Sequence, residues 1–94
     1  MADKPREIKL NFPAQLQAGV YSNNMMVSHS REEFVMDFSF ITPPMGTVVG
    51  RITTSPGHVK RIISALQDNV KKYEAKFGTI LQAEEPKGNI GFNA

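Results

Sequence analysis

The sequence predicts an α+β fold with two layers, in which an antiparallel β-meander of three to four strands packs on one long C-terminal α-helix. Three observations support this fold. Apolar residues recur with helical spacing between Ser55 and Gly78. They alternate with polar residues between Glu33 and Ile41. Every predicted strand precedes the long helix, so short turns join the strands and make them antiparallel.

Length and composition fit one small domain spanning residues 1–94. Apolar residues make up 40% of the chain and charged residues 21%, which is ordinary for a globular protein. Residues 1–6 and 82–94 are predicted to be disordered tails, because they are polar or rich in proline and glycine. The chain has no cysteine, no signal-peptide pattern and no membrane-length apolar run. We therefore expect a cytoplasmic protein without a membrane partner.

The first predicted strand runs from Glu7 to Phe12. Its alternating pattern places Ile8, Leu10 and Phe12 on one side. Pro13 ends this strand or places it at a sheet edge, because proline cannot donate a ladder hydrogen bond.

Three further strands are predicted over Val20–His29, Glu33–Ile41 and Thr47–Thr54, with the proline-containing loop 42–46 between the last two. The strand Glu33–Ile41 carries the strongest pattern, an aromatic and apolar row suited to a core. That row consists of Phe34, Met36, Phe38 and Phe40.

The predicted helix has a start signal at its N-terminus and a stop signal at its C-terminus. Ser55 can cap the N-terminus, and Pro56 follows at the first helical position, where its missing N–H costs nothing. Gly78 can take the left-handed conformation that ends a helix. The apolar stripe of this helix, which we expect to cover the sheet, consists of Val59, Ile62, Ile63, Leu66, Val70, Tyr73 and Phe77.

Strand pairing can be predicted by keeping apolar residues on one face. Pairing Ile41 with Thr47 places Phe38 opposite Gly50, and a tight turn at Ser30–Arg31 places Val27 opposite Phe34. The same register puts Asn24, Asp37 and Arg51 in one row on the opposite face.

This opposite face has two main interpretations. It is either a solvated sheet face with a cross-strand ion pair, or an interface through which two copies associate. A small-molecule site is a third. Several of its side chains are more apolar than solvent exposure requires. The candidate interface residues are Asn24, Met26, Val35, Asp37, Ile41, Val49 and Arg51.

The segment TTSPGHVKR suggests an anion site at the helix N-terminus, where the helix dipole and free N–H groups favour negative charge. The alternative interpretation is an ordinary capped helix start. Four basic residues, Lys60, Arg61, Lys71 and Lys72, lie on the outer helix face and keep nucleic-acid binding as an alternative function. The candidate anion-binding residues are Ser55, Gly57, His58, Lys60 and Arg61.

Chemistry is sparse in this sequence. The histidines His29 and His58 lie on separate elements without ligand spacing, and both phosphate-binding glycine motifs are absent. We therefore predict no catalytic residue, no metal and no cofactor, and expect that the protein is not an enzyme.

The segments YSNNMMVSHSREEFVMDFSF and GRITTSPGHVKRIISALQDNVKKYEAKFG resemble a family of short prokaryotic proteins catalogued as domain of unknown function 3467. The features shared are the Tyr-x-Asn start, the SHS turn, the EF-x-x-DF strand and the S-P-x-H-x-K helix opening. The likeness covers about residues 7–78. The resemblance favours an extended small domain over a fragment of an enzyme. It indicates no particular activity, cofactor or substrate, because none is established for the family.

These observations favour a non-enzymatic oligomeric interaction module, with a homodimer or another protein partner. Anion or nucleic-acid binding through the helix N-terminus and basic face is the alternative.

Overall fold

The computed structural model describes residues 5–91. Three strands, β1 (Asn24–His29), β2 (Phe34–Thr42) and β3 (Met45–Thr54), form one antiparallel sheet in the order β1-β2-β3. One helix, α1 (Pro56–Phe77), follows β3, and a single 3-10 turn precedes β1 at Ala14–Leu16. The predicted α+β class, with an antiparallel meander before a C-terminal helix, is confirmed.

The turn between β1 and β2 is built around Ser30. Its N–H donates to the carbonyl of Glu33 at 2.9 Å, and its hydroxyl accepts from the N–H groups of Glu32 and Glu33. This turn lets His29 pair with Phe34, and Val27 with Met36. The predicted pairing of Val27 with Phe34 is wrong by two residues, because the turn contains four residues rather than two. A two-residue shift preserves the faces, since strand side chains alternate with period two.

The β2–β3 pairing matches the prediction along half its length. Phe38 lies opposite Gly50, and the rows back to Phe34 follow regularly. The register then shifts, so that Ser39 faces Val48 and Ile41 faces Gly46. The predicted pairing of Ile41 with Thr47 is therefore wrong, because only Pro43 and Pro44 separate the paired ends of β2 and β3.

The register shift makes Val49 the extra residue of a β-bulge. Val48 lies on the side of Ser39, whereas Val49 lines the same cavity as Tyr21 and Phe40. The prediction that Val49 lies on the opposite face is wrong for this reason. We call the two sides the aromatic face (Met25, Val27, Phe34, Met36, Phe38, Phe40, Val49, Gly50 and Ile52) and the polar face (Asn24, Met26, Val35, Asp37, Ser39, Ile41, Val48, Arg51 and Thr53).

The bounds of α1 follow from its caps, as predicted. The Ser55 hydroxyl accepts from the N–H of His58 at 3.2 Å, and Pro56 occupies the first turn. Gly78 adopts a φ of 96°, which favours glycine, and its N–H donates to the carbonyl of Glu74.

The apolar stripe of α1 does not cover the sheet within one chain. No α1 residue is buried among the described residues, and Leu66 remains 62% exposed. Only Val59 and Ile62, near the start of the helix, and Glu74, near its end, are half-buried. Ser55 alone, in an extended conformation, joins β3 to α1, and α1 does not pack closely on any of the three strands. Within residues 5–91, Met36 is the only buried hydrophobic residue.

The predicted first strand, Glu7 to Phe12, does not form within the chain. This segment has neither helix nor strand, and Leu10 is 91% exposed. The sheet therefore has three strands among the described residues. Of the two predicted tails, residues 1–4 and 92–94 lie outside the described part of the chain.

Side chains extend the sheet hydrogen bonding before β1 begins. The Asn23 side chain donates to the carbonyl of Ile41 and accepts from its N–H, both at 2.8 Å. The Ser22 hydroxyl donates to the carbonyls of Asn24 and Ser39, each at 2.9 Å. The predicted strand start at Val20 is thus displaced to Asn24. Before it, one backbone hydrogen bond, from the Asn23 N–H to the Ser39 carbonyl, and the side chains of Ser22 and Asn23 hold the chain against β2.

Replacing Asn23 should therefore destabilise the sheet. We expect Asn23→Ala to lower the free energy of unfolding by about 1 kcal/mol, since both backbone groups of Ile41 lose a partner at an exposed site. Chemical denaturation measures this loss. The matched control is Ser28→Ala, an exposed strand residue. Equal unfolding midpoints for the two variants would contradict a structural role for the Asn23 amide.

Candidate functional site

The polar face is centred on an ion pair between neighbouring strands. Arg51 Nε lies 2.6 Å from Asp37 Oδ1, and Arg51 Nη2 donates to Asp37 Oδ2 at 2.9 Å. This bidentate geometry gives strong, charge-assisted hydrogen bonds. The predicted pairing of Asp37 with Arg51 is confirmed, but Met26 rather than Asn24 completes the row. The observed pairing of β1 with β2 differs from the predicted pairing by two residues, so Asn24 lies opposite Ser39 instead.

The ion pair stabilises the charged forms of both Asp37 and Arg51. The hydrogen bond from Arg51 lowers the pKa of the Asp37 carboxyl, against a smaller opposing effect of desolvation. The same hydrogen bond raises the pKa of Arg51. The Asp37 side chain is only 13% exposed, whereas that of Arg51 is 67% exposed. Arg51 therefore presents its positive charge to solvent at the free edge of β3.

The lowered pKa predicts a pH dependence. Because the pKa is lower in the folded state, the pair stabilises the fold above the unfolded carboxyl pKa, and this stabilisation is lost as the pH falls through the folded value. We expect the Asp37 carboxyl ¹³C shift to titrate below 3.8, the ordinary value. Arg51→Gln should raise that midpoint, whereas Arg31→Gln, in the β1–β2 turn, should not. A midpoint unmoved by Arg51→Gln would show that the pair does not form in solution.

A cleft of about 850 Å³ lies over the polar face. One wall is formed by Met26, Asp37, Ser39 and Ile41, and the other by the C-terminal segment 86–91. Ser39 is buried and accepts a hydrogen bond from Asn24 at 3.3 Å. The segment 86–91 therefore lies beside the polar face and lines the same cleft.

The structure brings most of the predicted interface residues together. Asn24, Met26, Val35, Asp37 and Ile41 are half-buried on the polar face, and Arg51 is exposed beside them. The bulge places the seventh, Val49, on the aromatic face. Because segment 86–91 lies beside part of this group, the polar face is less open than the sequence suggests.

Two larger apolar surfaces are open instead. On the aromatic face, Met25, Val27 and Ile52 are 46%, 54% and 53% exposed. On α1, Leu66, Tyr73 and Phe77 are 62%, 50% and 66% exposed. Both surfaces were predicted from the sequence to form one internal core, and their exposure was not predicted. No pattern in the sequence distinguishes an apolar face that is buried within its own chain from one that is left exposed.

The predicted anion site is a well-capped helix start. Its Ser55 hydroxyl already accepts the N–H of His58, and the guanidinium of Arg61 lies 3.0 Å from His58 Nδ1. Gly57 and Lys60 are exposed in the same two turns. The first turn of α1 contains no acidic residue, so its positive dipole is not balanced within the helix.

The described part of the chain offers neither a cluster of metal-ligating side chains nor a membrane-spanning helix. No group of three His, Cys, Asp or Glu side chains there is placed to hold a metal ion. No helix among the described residues combines the length and apolar character needed to cross a membrane.

The geometry defines a class of small α+β chain, with a three-stranded meander, a long terminal helix and an apolar surface that one copy leaves open. Residues 1–82 match the family described as Protein of unknown function (DUF3467), and the chain belongs to that family. The resemblance stated from the sequence is thereby confirmed. Neither a curated protein nor a solved structure matches the chain.

Proposed function

We propose that this protein is a non-enzymatic interaction module that works as a homodimer. The observation that carries the proposal is the simultaneous exposure of the aromatic face and the α1 stripe. Each surface has the pattern of a buried face, yet both remain largely exposed and do not pack against each other within a chain. A second copy supplies both missing partners at once.

The exposed area supports a need for association. The chain exposes 9196 Å². A compact monomer of this size exposes about 5,400 Å². Even half of the difference, buried on each chain, lies within the range of obligate dimers, which bury roughly 2,000–5,000 Å² in total. The radius of gyration, 17.2 Å, also exceeds the roughly 12 Å of a compact domain of 94 residues.

The two apolar surfaces fit one another in length. α1 contains 22 residues, which span about 33 Å at about 1.5 Å per residue. β2 contains nine residues, which span about 30 Å at about 3.3 Å per residue. The helix of one copy therefore covers the whole central strand of the other, and a two-fold axis repeats the contact.

This arrangement restores the two-layer packing predicted from the sequence, with the helix contributed in trans. The proposed interface lies mainly on the aromatic face rather than on the polar face. It leaves the cleft beside Asp37 accessible to a further protein partner. The proposal of binding rather than catalysis is based on these exposed apolar surfaces.

A charge in the helix stripe should dissociate the dimer. We expect Leu66→Glu to convert it to monomer at micromolar concentration, because an unpaired carboxylate would be buried in the interface. Sedimentation velocity measures the change in mass.

The matched control for this variant is Ser64→Glu. It introduces the same charge two residues earlier, about 160° around the helix from Leu66, and should remain dimeric. A wild-type monomer at high concentration would contradict the proposed function. Equal dissociation of both variants would contradict the assignment of the interface to the stripe.

A further inference from the structure

The segment Glu7–Phe12 has the sequence pattern of a strand but no partner in its own sheet. Ile8, Leu10 and Phe12 are 81%, 91% and 64% exposed. Three large apolar residues on one side of an extended segment are typical of a strand with one buried face. This segment therefore has the pattern of a β-strand and could pair with the free edge of a sheet.

The free edge of β3 is the larger of the two edges that the sheet offers. β3 has ten residues and β1 has six. The bulge at Val49 divides the β3 edge, leaving Gly50–Thr54 as its regular part. On the aromatic face, a Cβ built at Gly50 would meet no atom within 4 Å, so the backbone beside Phe38 is bare.

One antiparallel register satisfies both the segment and this edge. It pairs Phe12 with Gly50, Leu10 with Ile52 and Ile8 with Thr54. All three apolar side chains then extend the aromatic face, and the ring of Phe12 covers the bare glycine, a recognised way to protect an edge glycine. Pro13 ends the added strand where the bulge interrupts β3.

The other side of the added strand is equally compatible. Asn11 lies beside Arg51, and Lys9 beside Thr53, so no like charges are opposed. Glu7 falls beside Ser55, at the start of α1. The first turn of α1 has no acidic residue of its own, and the helix dipole favours a carboxylate there. Moving the register by two residues toward the bulge would instead place Lys9 against Arg51. Moving it by two residues the other way would place Lys9 rather than Glu7 beside the positive end of the α1 dipole.

From these matches we propose that Glu7–Phe12 of one copy adds as an antiparallel strand to the β3 edge of a second copy. The inference rests on the proposed homodimer and deepens it by naming an exchanged element. The edge lies beside the aromatic face, so the exchanged strand continues the proposed helix–sheet interface.

A second copy is the occupant that the topology favours. β1 and β3 lie at opposite edges of the sheet. Val20 and Tyr21 line a cavity with Val49 of β3, yet residues 7–12 of the same chain form no strand and remain exposed. The segment 86–91 already lies beside the polar face. The helix of the partner takes the aromatic face in the proposed dimer. Exchange between copies allows the segment to pair with β3 without crossing either face.

Disulfide trapping tests this strand, and the natural lack of cysteine makes each introduced thiol unique. Full-length Lys9→Cys chains labelled with ¹⁵N are mixed with unlabelled Thr53→Cys chains and equilibrated in glutathione buffer. Intact mass identifies the mixed disulfide. Residues directly opposite in an antiparallel pair lie within the Cα separation that a disulfide requires.

The matched control pairs Lys9→Cys with Ser28→Cys, which places the second thiol on β1. We expect the Lys9–Thr53 disulfide to exceed this control by about tenfold or more, because pairing raises the local thiol concentration to roughly millimolar. Amide hydrogen exchange on the unmodified protein should show alternate protected amides between Glu7 and Phe12.

Light scattering on the same samples separates the two proposals. A dimer without excess Lys9–Thr53 disulfide, or with an excess for Ser28, overturns the exchanged strand and leaves the dimer standing. A disulfide that forms only within the double variant Lys9→Cys/Thr53→Cys also overturns it, because the strand then pairs in its own chain. A monomer overturns the proposed function itself.

Discussion

The separation of the α1 stripe from the aromatic face governs where the apolar surface of this chain lies. One residue, Ser55, joins β3 to α1, and neither apolar surface is buried within the chain. The hydrophobic effect still favours removing both apolar surfaces from water, in proportion to their area. Local geometry and burial are therefore in conflict within one copy, and in the proposed dimer a second copy would resolve the conflict without changing either element.

The central strand β2 is the best-held element of the sheet. It is hydrogen-bonded on both sides and contains both of the buried residues found among residues 5–91, Met36 on one face and Ser39 on the other. The Asp37–Arg51 pair ties it to β3, and the Asn23 and Ser22 side chains tie it to the chain before β1. The sheet is thus held by directional polar contacts, while its apolar contacts remain to be completed.

The elements themselves could be predicted because each depends on local chemistry. Ser55, Pro56 and Gly78 define the helix by capping, and the Phe34 to Phe40 alternation defines the central strand. The tertiary arrangement could not be predicted, because periodicity shows which side of an element is buried but not which molecule buries it. The register errors have equally local causes, namely the hydrogen bonds of the Ser30 turn and the short Pro43–Pro44 connection.

The candidate site likewise has features that could be predicted from the sequence and features that could not. The pairing of Asp37 with Arg51 followed from alternation, since a two-residue register error leaves every side chain on its face. The position of Val49 did not follow, because a bulge changes the alternation by one residue and leaves no mark in composition. The cleft beside segment 86–91 involves a contact distant in sequence, for which the proline and glycine pattern of that segment gives no signal.

The bulge at Val49 also bears on how far association can proceed. A straight, ten-residue edge would accept extended strands along its whole length and could template open-ended stacking of sheets. The bulge leaves a short regular stretch, Gly50–Thr54, that ends beside the helix cap on one side and at the bulge itself on the other. In the proposed dimer this stretch has room for one short strand, so continuous pairing of sheets along the whole of β3 is disfavoured.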